Sequence, residues 1–289
     1  MMTQKTNVNC QTIQELKKSS ECHLEHIFEC GQCFRWNKYE DGYIGVAGGK
    51  VVYAYEKDDV ICLEGAKEED KNFWWEYFDL GRDYGEIKRE LEKDEILKEA
   101  IKYGYGIRIL KQEPFETLIS FIISANNRIP MIKRAVENIS IRFGDRIEFR
   151  GMEFYAFPTV EQLARATVGD LEDCGTGFRA PYIAEAVRKI IDEKIDLEEI
   201  KKLDTDEAMK KLMEFKGVGP KVADCVLLFS MQKFDAFPVD VWVKKIMQKF
   251  YLAPDVSLNK IRQFGKNKFG DLAGFAQQYL FYYARENKV

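Results

Sequence analysis

The sequence predicts an α+β protein in two parts: an N-terminal antiparallel sheet with flanking helices over residues 1–112, then a helical part over 113–289. Three observations carry this. Short runs rich in Val, Ile, Tyr and Phe fill residues 33–65 between turn residues. The apolar spacing turns helical from Ala66. From Glu113 onward, helix start and stop signals recur to the end of the chain.

Taken in order, CFRWNKY, GYIGVAG, KVVYAYE and DVICLEG are separated by Glu40-Asp41-Gly42, Gly48-Gly49 and Lys57-Asp58-Asp59. These are turn residues, so an antiparallel meander is expected. Residues 67–79 and 84–103 combine helical spacing with dense mixed charge, as on solvated helix faces. Residues 104–112 read as one more short strand or an extended link. Pro114 suits a first helical position ahead of FETLISFIISA. Thr159 with Gln162, Asp204 with Glu207, and Ser257 ahead of LNKIRQF mark further starts. Gly175, Gly217 and Gly270 mark stops. About nine helices of roughly 8–18 residues are expected here.

The 289 residues are 46% hydrophobic and 32% charged, which suits one or two globular domains rather than disorder. No run of about 18 apolar residues occurs, so no membrane span is expected. The start, MMTQKTNVNC, lacks the basic-then-apolar pattern of a secretory signal, and a cytoplasmic protein is expected. Seven scattered cysteines fit free thiols better than a disulfide framework. No heptad repeat is present, and a monomer is expected.

The net charge of −4 speaks weakly against a nucleic-acid partner, but the charge is unevenly spread. Residues 1–112 and 113–200 each carry −5, whereas 201–289 carries +6. A polyanion would be sought in that last third, although charge alone equally fits ordinary surface variation.

That third contains LMEFKGVGPKVADCVLLFS, residues 212–230. A helix runs into Gly217-Val218-Gly219, and a second begins at Pro220. The glycines allow a tight turn and close approach of another molecule. The unpaired N–H groups and dipole of the second helix suit a phosphate. This is a helix-hairpin-helix arrangement, which binds the DNA backbone without reading sequence. The tripeptide alone equally fits a plain turn with glycine caps. Lys221 lies in the first turn of the second helix, where the dipole repels cations. It is either a solvated charge or, with burial, a neutral and nucleophilic amine. Cys225 shares its face at i+4. In FPVDVW, Asp240 is placed to cap the helix VWVKKIMQKF.

GVGPKVADC followed by FPVDVW resembles the helix-hairpin-helix glycosylases, specifically the 8-oxoguanine DNA glycosylase/AP lyase family. Four further islands share the resemblance in the same order: CGQCFRW from Cys30, SANNR from Ser124, CGTGFRA from Cys174 and AGFAQQYLF from Ala273. The resemblance implies a TATA-binding-protein-like sheet domain, an all-α glycosylase domain, and an active site at their junction. It implies duplex DNA containing oxidised guanine as partner, no cofactor, and a nucleoid-associated enzyme in a prokaryote.

Residue by residue, the resemblance makes Lys221 the amine that attacks the sugar C1′ of a flipped nucleotide and forms a Schiff base. Asp240 stabilises the positive charge developing on the sugar. Gly31 is the glycine whose carbonyl accepts the N7–H of 8-oxoguanine. Gln277 reads the Watson–Crick edge, while Phe281 and Cys225 cover the two base faces. Asn126 fills the hole left by the flipped base. Phe178 and Arg179 supply the wedge and estranged-base contacts. Gly217, Val218 and Gly219 form the hairpin that meets the phosphate.

Three positions depart from the family pattern. Trp242 replaces a histidine that contacts a phosphate, and an indole carries no charge. Met131 replaces the arginine that reads the opposite cytosine in eukaryotic members, which implies weaker preference for cytosine. Arg128 replaces the third asparagine of its run. No cysteine follows Cys225, which excludes the four-cysteine iron–sulfur pattern of the endonuclease-III-like branch. Cys22, His23, His26, Cys30 and Cys33 have zinc-ligand spacing, but two of them fall inside the CGQCFRW island, so no metal is expected. The alternatives are a monofunctional alkylated-base glycosylase, which Lys221 argues against, and a non-catalytic DNA-binding module.

Overall fold

The computed structural model describes residues 22–58 and 60–289. A short helix α1 (Leu24–Phe28) precedes β1 (Trp36–Tyr39), β2 (Gly42–Ala47), β3 (Lys50–Lys57) and β4 (Val60–Glu64). The strands form one antiparallel meander in the order β1-β2-β3-β4, joined at the turns the sequence marks.

Strand β2 is buried along its whole length because both sheet faces are covered. Tyr43 and Ala47 pack with Trp36 and with Trp74, Tyr77 and Phe78 at α2 (Lys71–Tyr77). Ile44 and Val46 point the other way, as alternation along a strand requires. They meet Ile147, Phe149, Met152 and Phe154. Those four belong to β5 (Arg146–Phe149) and β6 (Met152–Tyr155), an antiparallel hairpin. The expectation of helix alone after Glu113 is therefore corrected. The hairpin lays its apolar face on the N-terminal sheet, and the Arg35 side chain ties the two parts through the Ser140 hydroxyl and the Tyr155 carbonyl.

The remaining helices are α3 (Tyr84–Leu91), α4 (Glu95–Tyr103), α5 (Pro114–Ser124), α6 (Ile129–Phe143), α7 (Val160–Leu163), α8 (Val168–Asp173) and α9 (Ala180–Asp192). They continue as α10 (Leu197–Lys202), α11 (Thr205–Met213), α12 (Pro220–Ser230), α13 (Val241–Phe250), α14 (Leu258–Phe269) and α15 (Ala273–Glu286). Of the eleven after residue 113, eight have at least eight residues, and α7, α8 and α10 are shorter than expected. The expected caps form: Thr159 and Gln162 make a reciprocal capping box, and Asp204, Asp240 and Ser257 each accept from the next turn. Residues 104–112 form no strand and pass as an extended link.

Helices α5 and α12 are apolar nearly all round, and each is buried from Thr117 to Ser124 and from Val222 to Ser230. They form the middle of the helical core. Within it, Asp224 of α12 pairs with Arg262 of α14 at 2.6 and 2.8 Å. Helices α3 and α4 bury Tyr84, Leu91, Leu97 and Ile101 in this same core. In packing, the helical body thus recruits two helices that precede residue 112 in sequence. Among the described residues no helix is long and apolar enough to cross a membrane.

Candidate active site

A cavity of about 650 Å³ opens where the α5–α6 turn, α12, the start of α13, α15 and the loop after α1 meet. It is lined by Gly31, Asn126, Arg128, Met131, Lys221, Cys225, Asp240, Gln277 and Phe281. Nine residues singled out in sequence, spread from 31 to 281, are thereby brought to one place. Phe178, Arg179, Trp242 and the hairpin Gly217-Val218-Gly219 lie outside the cavity lining.

Lys221 leaves the first turn of α12 and is partly buried. Its Nζ donates to Ser124 Oγ at 3.1 Å and lies 5.2 Å from the centre of the Phe121 ring. Ser124 in turn donates to the Phe121 carbonyl. Asp240 is the N-cap of α13, where its Oδ1 accepts from Trp242 N at 3.0 Å and Val243 N at 2.8 Å. Burial pushes its carboxyl above the ordinary aspartate range, and the two cap bonds and the Lys221 charge only partly offset this. Pro238 stops the preceding extended segment and helps line the cavity. An amine and a carboxylate at two helix starts thus share one pocket.

Cys225, one turn after Lys221, is buried, and desolvation pushes its thiol up to about 12 against the pull of Lys221. Gly31 has φ +78°, and a Cβ there would lie 2.9 Å from the Phe281 ring. Glycine is required by both the backbone and the neighbour. The ring of Phe281 therefore packs directly on the Gly31 backbone, and the Arg285 guanidinium lies 5.3 Å from the centre of that ring. Gln277 is 4% exposed, and its Oε1 has no hydrogen-bond partner among the described residues.

Asn126 adopts φ +52°, a left-handed conformation that asparagine tolerates better than most residues. Arg179, expected at the estranged base, lies against the turn that carries Asn126. Its guanidinium is turned inward and is 7% exposed. It donates to the Ala125 carbonyl at 2.8 and 2.6 Å, to the Asn126 carbonyl at 2.9 Å and to the Thr176 carbonyl at 3.2 Å. The exposed Phe178 ring stacks on that guanidinium at 4.2 Å, which leaves a 60% exposed aromatic standing beside the asparagine turn. Arg128 is exposed at the N-cap of α6, and Met131 is 45% exposed at the cavity rim.

The hairpin forms as expected. Gly217 has φ +84°, and a Cβ there would lie 2.7 Å from Tyr182. Gly219 is the N-cap of α12, and no side chain caps this helix end. Val218 buries its side chain, so only its backbone is available at the turn. Trp242 is partly buried against the core, and the Lys245 ammonium sits 4.6 Å over its ring. Lys245, three residues on, thus places a positive charge beside the indole. Phe121, Ser124, Gln278 and Arg285 were not singled out in sequence. Ser124 and Phe121 share the Lys221-facing side of α5, which an i, i+3 reading of the SANNR island would have shown.

The cysteine and histidine cluster near α1 is otherwise engaged. His26 Nδ1 accepts from Gly106 N at 3.1 Å, and the His23 and His26 rings lie 4.5 Å apart. Cys30 Sγ donates to the Ile27 carbonyl, and Gln32 Nε2 donates to that sulfur. Among the described residues no group of three or more His, Cys, Asp or Glu is arranged to hold a metal ion.

A helix-hairpin-helix with an uncapped second helix, beside a cavity that holds a lysine and an aspartate, defines the helix-hairpin-helix class of base-excision DNA repair proteins. The model of that superfamily matches residues 119–269, and the model of the 8-oxoguanine DNA glycosylase N-terminal domain matches residues 15–118. A probable N-glycosylase/DNA lyase of Methanothermobacter thermautotrophicus is 36% identical over 230 residues, 73% of this chain and 73% of that protein. The N-glycosylase/DNA lyase of Saccharomyces cerevisiae is 32% identical, covering 92% of this chain and 84% of its own length. The crystal structure of Clostridium acetobutylicum 8-oxoguanine glycosylase/lyase, in complex with double-stranded DNA containing cytosine opposite to 8-oxoG, superposes with a TM-score of 0.92. It is 56% identical and covers 93% of this chain and 94% of that one. The chain belongs to the 8-oxoguanine DNA glycosylase family.

Proposed function

We propose that this protein excises 8-oxoguanine from duplex DNA and cleaves the strand at the abasic site it makes. The observation that carries the reading is the convergence of Lys221, Asp240 and the unpartnered Gln277 Oε1 on one cavity. A buried acceptor with no donor costs about 1–3 kcal/mol, so Gln277 is completed by a ligand that brings N–H groups. The Watson–Crick edge of a guanine does so.

The flipped base lies between Phe281 and Cys225, with Gly31 at its imidazole edge. Gly31 has no side chain and presents backbone alone to the cavity. Its carbonyl accepts the N7–H of 8-oxoguanine and opposes the N7 lone pair of guanine, so the wrong base leaves a buried acceptor unpaired. The Lys221 Nζ attacks C1′, the C1′–N9 bond breaks, and the base departs with the bonding pair and takes up a proton. Asp240 stabilises the positive charge on the sugar as that bond lengthens. The amine nitrogen loses its proton and the sugar ring opens, giving the Schiff base. Loss of a C2′ proton then expels the 3′ phosphate.

Asn126 fills the vacated stack, Phe178 wedges beside it, and Arg179 holds the turn that carries Asn126 instead of touching the estranged base. Gly217, Val218 and Gly219 offer backbone N–H groups to a phosphate. Arg128 and the Trp242–Lys245 pair flank the same strand. Met131 offers no hydrogen-bond donor to the opposite base, so preference for cytosine is relaxed. One chain holds the whole site, and the protein acts as a monomer in the compartment that holds the DNA.

The test is release of 8-oxoguanine, measured by mass spectrometry, together with strand cleavage on a duplex with one lesion. Release of the free base with cleavage on its 3′ side supports the reading. Good binding with no release leaves a DNA-binding module.

A further inference from the structure

Four consecutive carbonyls line the loop after α1, from Glu29 to Gln32, and three of them are claimed by side chains from distant parts of the chain. Arg285 Nη2 donates to the Glu29 carbonyl. Gln278 Nε2 donates to the Cys30 carbonyl at 2.7 Å. Gln112 Nε2 donates to the Gln32 carbonyl at 2.8 Å. Among the described residues, no donor reaches the remaining carbonyl, that of Gly31. Gly31 is also the residue of the four that lines the cavity.

We propose that Gln278 is a specificity-positioning residue: by holding the Cys30 carbonyl it fixes the orientation of the Cys30–Gly31 peptide, and so aims the vacant Gly31 carbonyl at the base. The inference rests on the proposed excision of 8-oxoguanine and adds a residue to it. Gln278 is 1% exposed and also borders the cavity, but its amide is spent on the loop. It lies beside Gln277 on α15, so one helix both reads the base through Gln277 and sets the backbone acceptor through Gln278. Arg285, two turns further on, holds the preceding carbonyl from the same helix. Left-handed φ at Gly31 makes the loop easy to reorient, because glycine populates both signs of φ with little cost. An external clamp is therefore needed to select one orientation.

The position demands a donor. Leucine at 278 fills similar space without an N–H, and the Cys30 carbonyl is then buried unpaired, which drives the peptide to turn. The proposed role is separate from the Lys221 chemistry. An abasic site has no base to read, so the lyase step on it does not need the Gly31 carbonyl.

The experiment compares full-length wild type, Gln278→Leu and Gln278→Glu on two duplexes, one with 8-oxoguanine and one with a preformed abasic site. Gln278→Leu is expected to lose about tenfold or more in single-turnover excision relative to wild type, equal to ~1.4 kcal/mol. Its strand cleavage at the abasic site stays at the wild-type rate. Gln278→Glu tests the donor directly. Its carboxyl donates when protonated and repels the carbonyl when ionised, so excision is kept at low pH and falls as pH rises through the carboxyl pKa, a limb wild type lacks. Equal loss of excision and abasic cleavage in both variants, with no new pH limb, makes Gln278 merely structural and overturns the proposal. Unchanged excision in Gln278→Leu overturns it as well. Wild type that cleaves abasic DNA but releases no 8-oxoguanine overturns the underlying reading instead.

Discussion

Asp240 is expected to do two jobs that two substitutions separate. Its Oδ1 caps α13 by accepting from Trp242 N at 3.0 Å and Val243 N at 2.8 Å, and its carboxyl lines the cavity that also holds Lys221. Asp240→Asn keeps an oxygen at the cap, because asparagine caps as well as aspartate. Asp240→Ala removes the cap at a cost of about 1 kcal/mol, or roughly 2–4 °C in Tm for a protein of this size class. The Asp240 carboxyl has its pKa raised by burial. Between its unfolded and folded pKa the native state binds the extra proton, so its contribution to stability falls as pH rises through that window. At neutral pH the buried charge is therefore unfavourable, and Asp240→Asn should be at least as stable as wild type. For catalysis the two variants behave alike. Removing a preorganised electrostatic partner costs about 10²–10³ in the rate of the chemical step. Single-turnover excision from a lesion duplex, with calorimetry of each protein, measures both effects. The wild-type acid limb should lie above the ordinary aspartate value of about 3.9, and both variants should lack it. Wild-type excision by Asp240→Asn would refute the electrostatic role. A drop in Tm for Asp240→Asn equal to that of Asp240→Ala would refute the cap argument.

Three further outcomes follow from single contacts. Arg262→Ala leaves the fully buried Asp224 carboxylate unpaired and should destabilise the fold by about 3–5 kcal/mol in urea unfolding, whereas a shift within error would mean the pair is not buried in solution. Gly219→Ala adds a Cβ that meets nothing within 4 Å, so Tm should stay while affinity for duplex falls because the phosphate approach is blocked; Gly217→Ala, pressed on Tyr182 at 2.7 Å, should lose both. Binding to undamaged duplex should weaken steadily as salt rises, because phosphate contacts release counterions, and salt-independent binding would contradict the basic footprint assigned to residues 201–289.

The meander was legible because each strand is short, β-branched and bounded by turn residues. The helices were legible from their caps. The β5–β6 hairpin was missed although Ile147, Phe149, Met152 and Phe154 alternate with charges around an Arg150-Gly151 turn. Its apolar face has no partner within the helical part and makes sense only against Ile44, Val46 and Val51. The site was legible where chemistry constrains residue type: a lysine at a helix start, an aspartate cap, and glycines at a turn. It was not legible where a side chain's direction depends on tertiary neighbours. Nothing local turns Arg179 inward onto the Ala125 and Asn126 carbonyls, and nothing local sends Gln278 across to Cys30. The charge total was similarly uninformative. The hairpin, Lys221 and Lys245 all lie in the basic third, while residues 51–100 carry −8 mainly on the sheet and its flanking helices.

The central claim is that Lys221 bonds to the sugar of an excised 8-oxoguanine. Borohydride reduction during reaction with a lesion duplex tests it most directly, since reduction converts a Schiff base into a permanent link. Wild type should give a species with the combined mass of protein and strand, with the link mapped to Lys221 by peptide mass spectrometry. Lys221→Gln should bind the duplex and give none. A link mapped to another residue, or equal trapping by Lys221→Gln, would contradict the account.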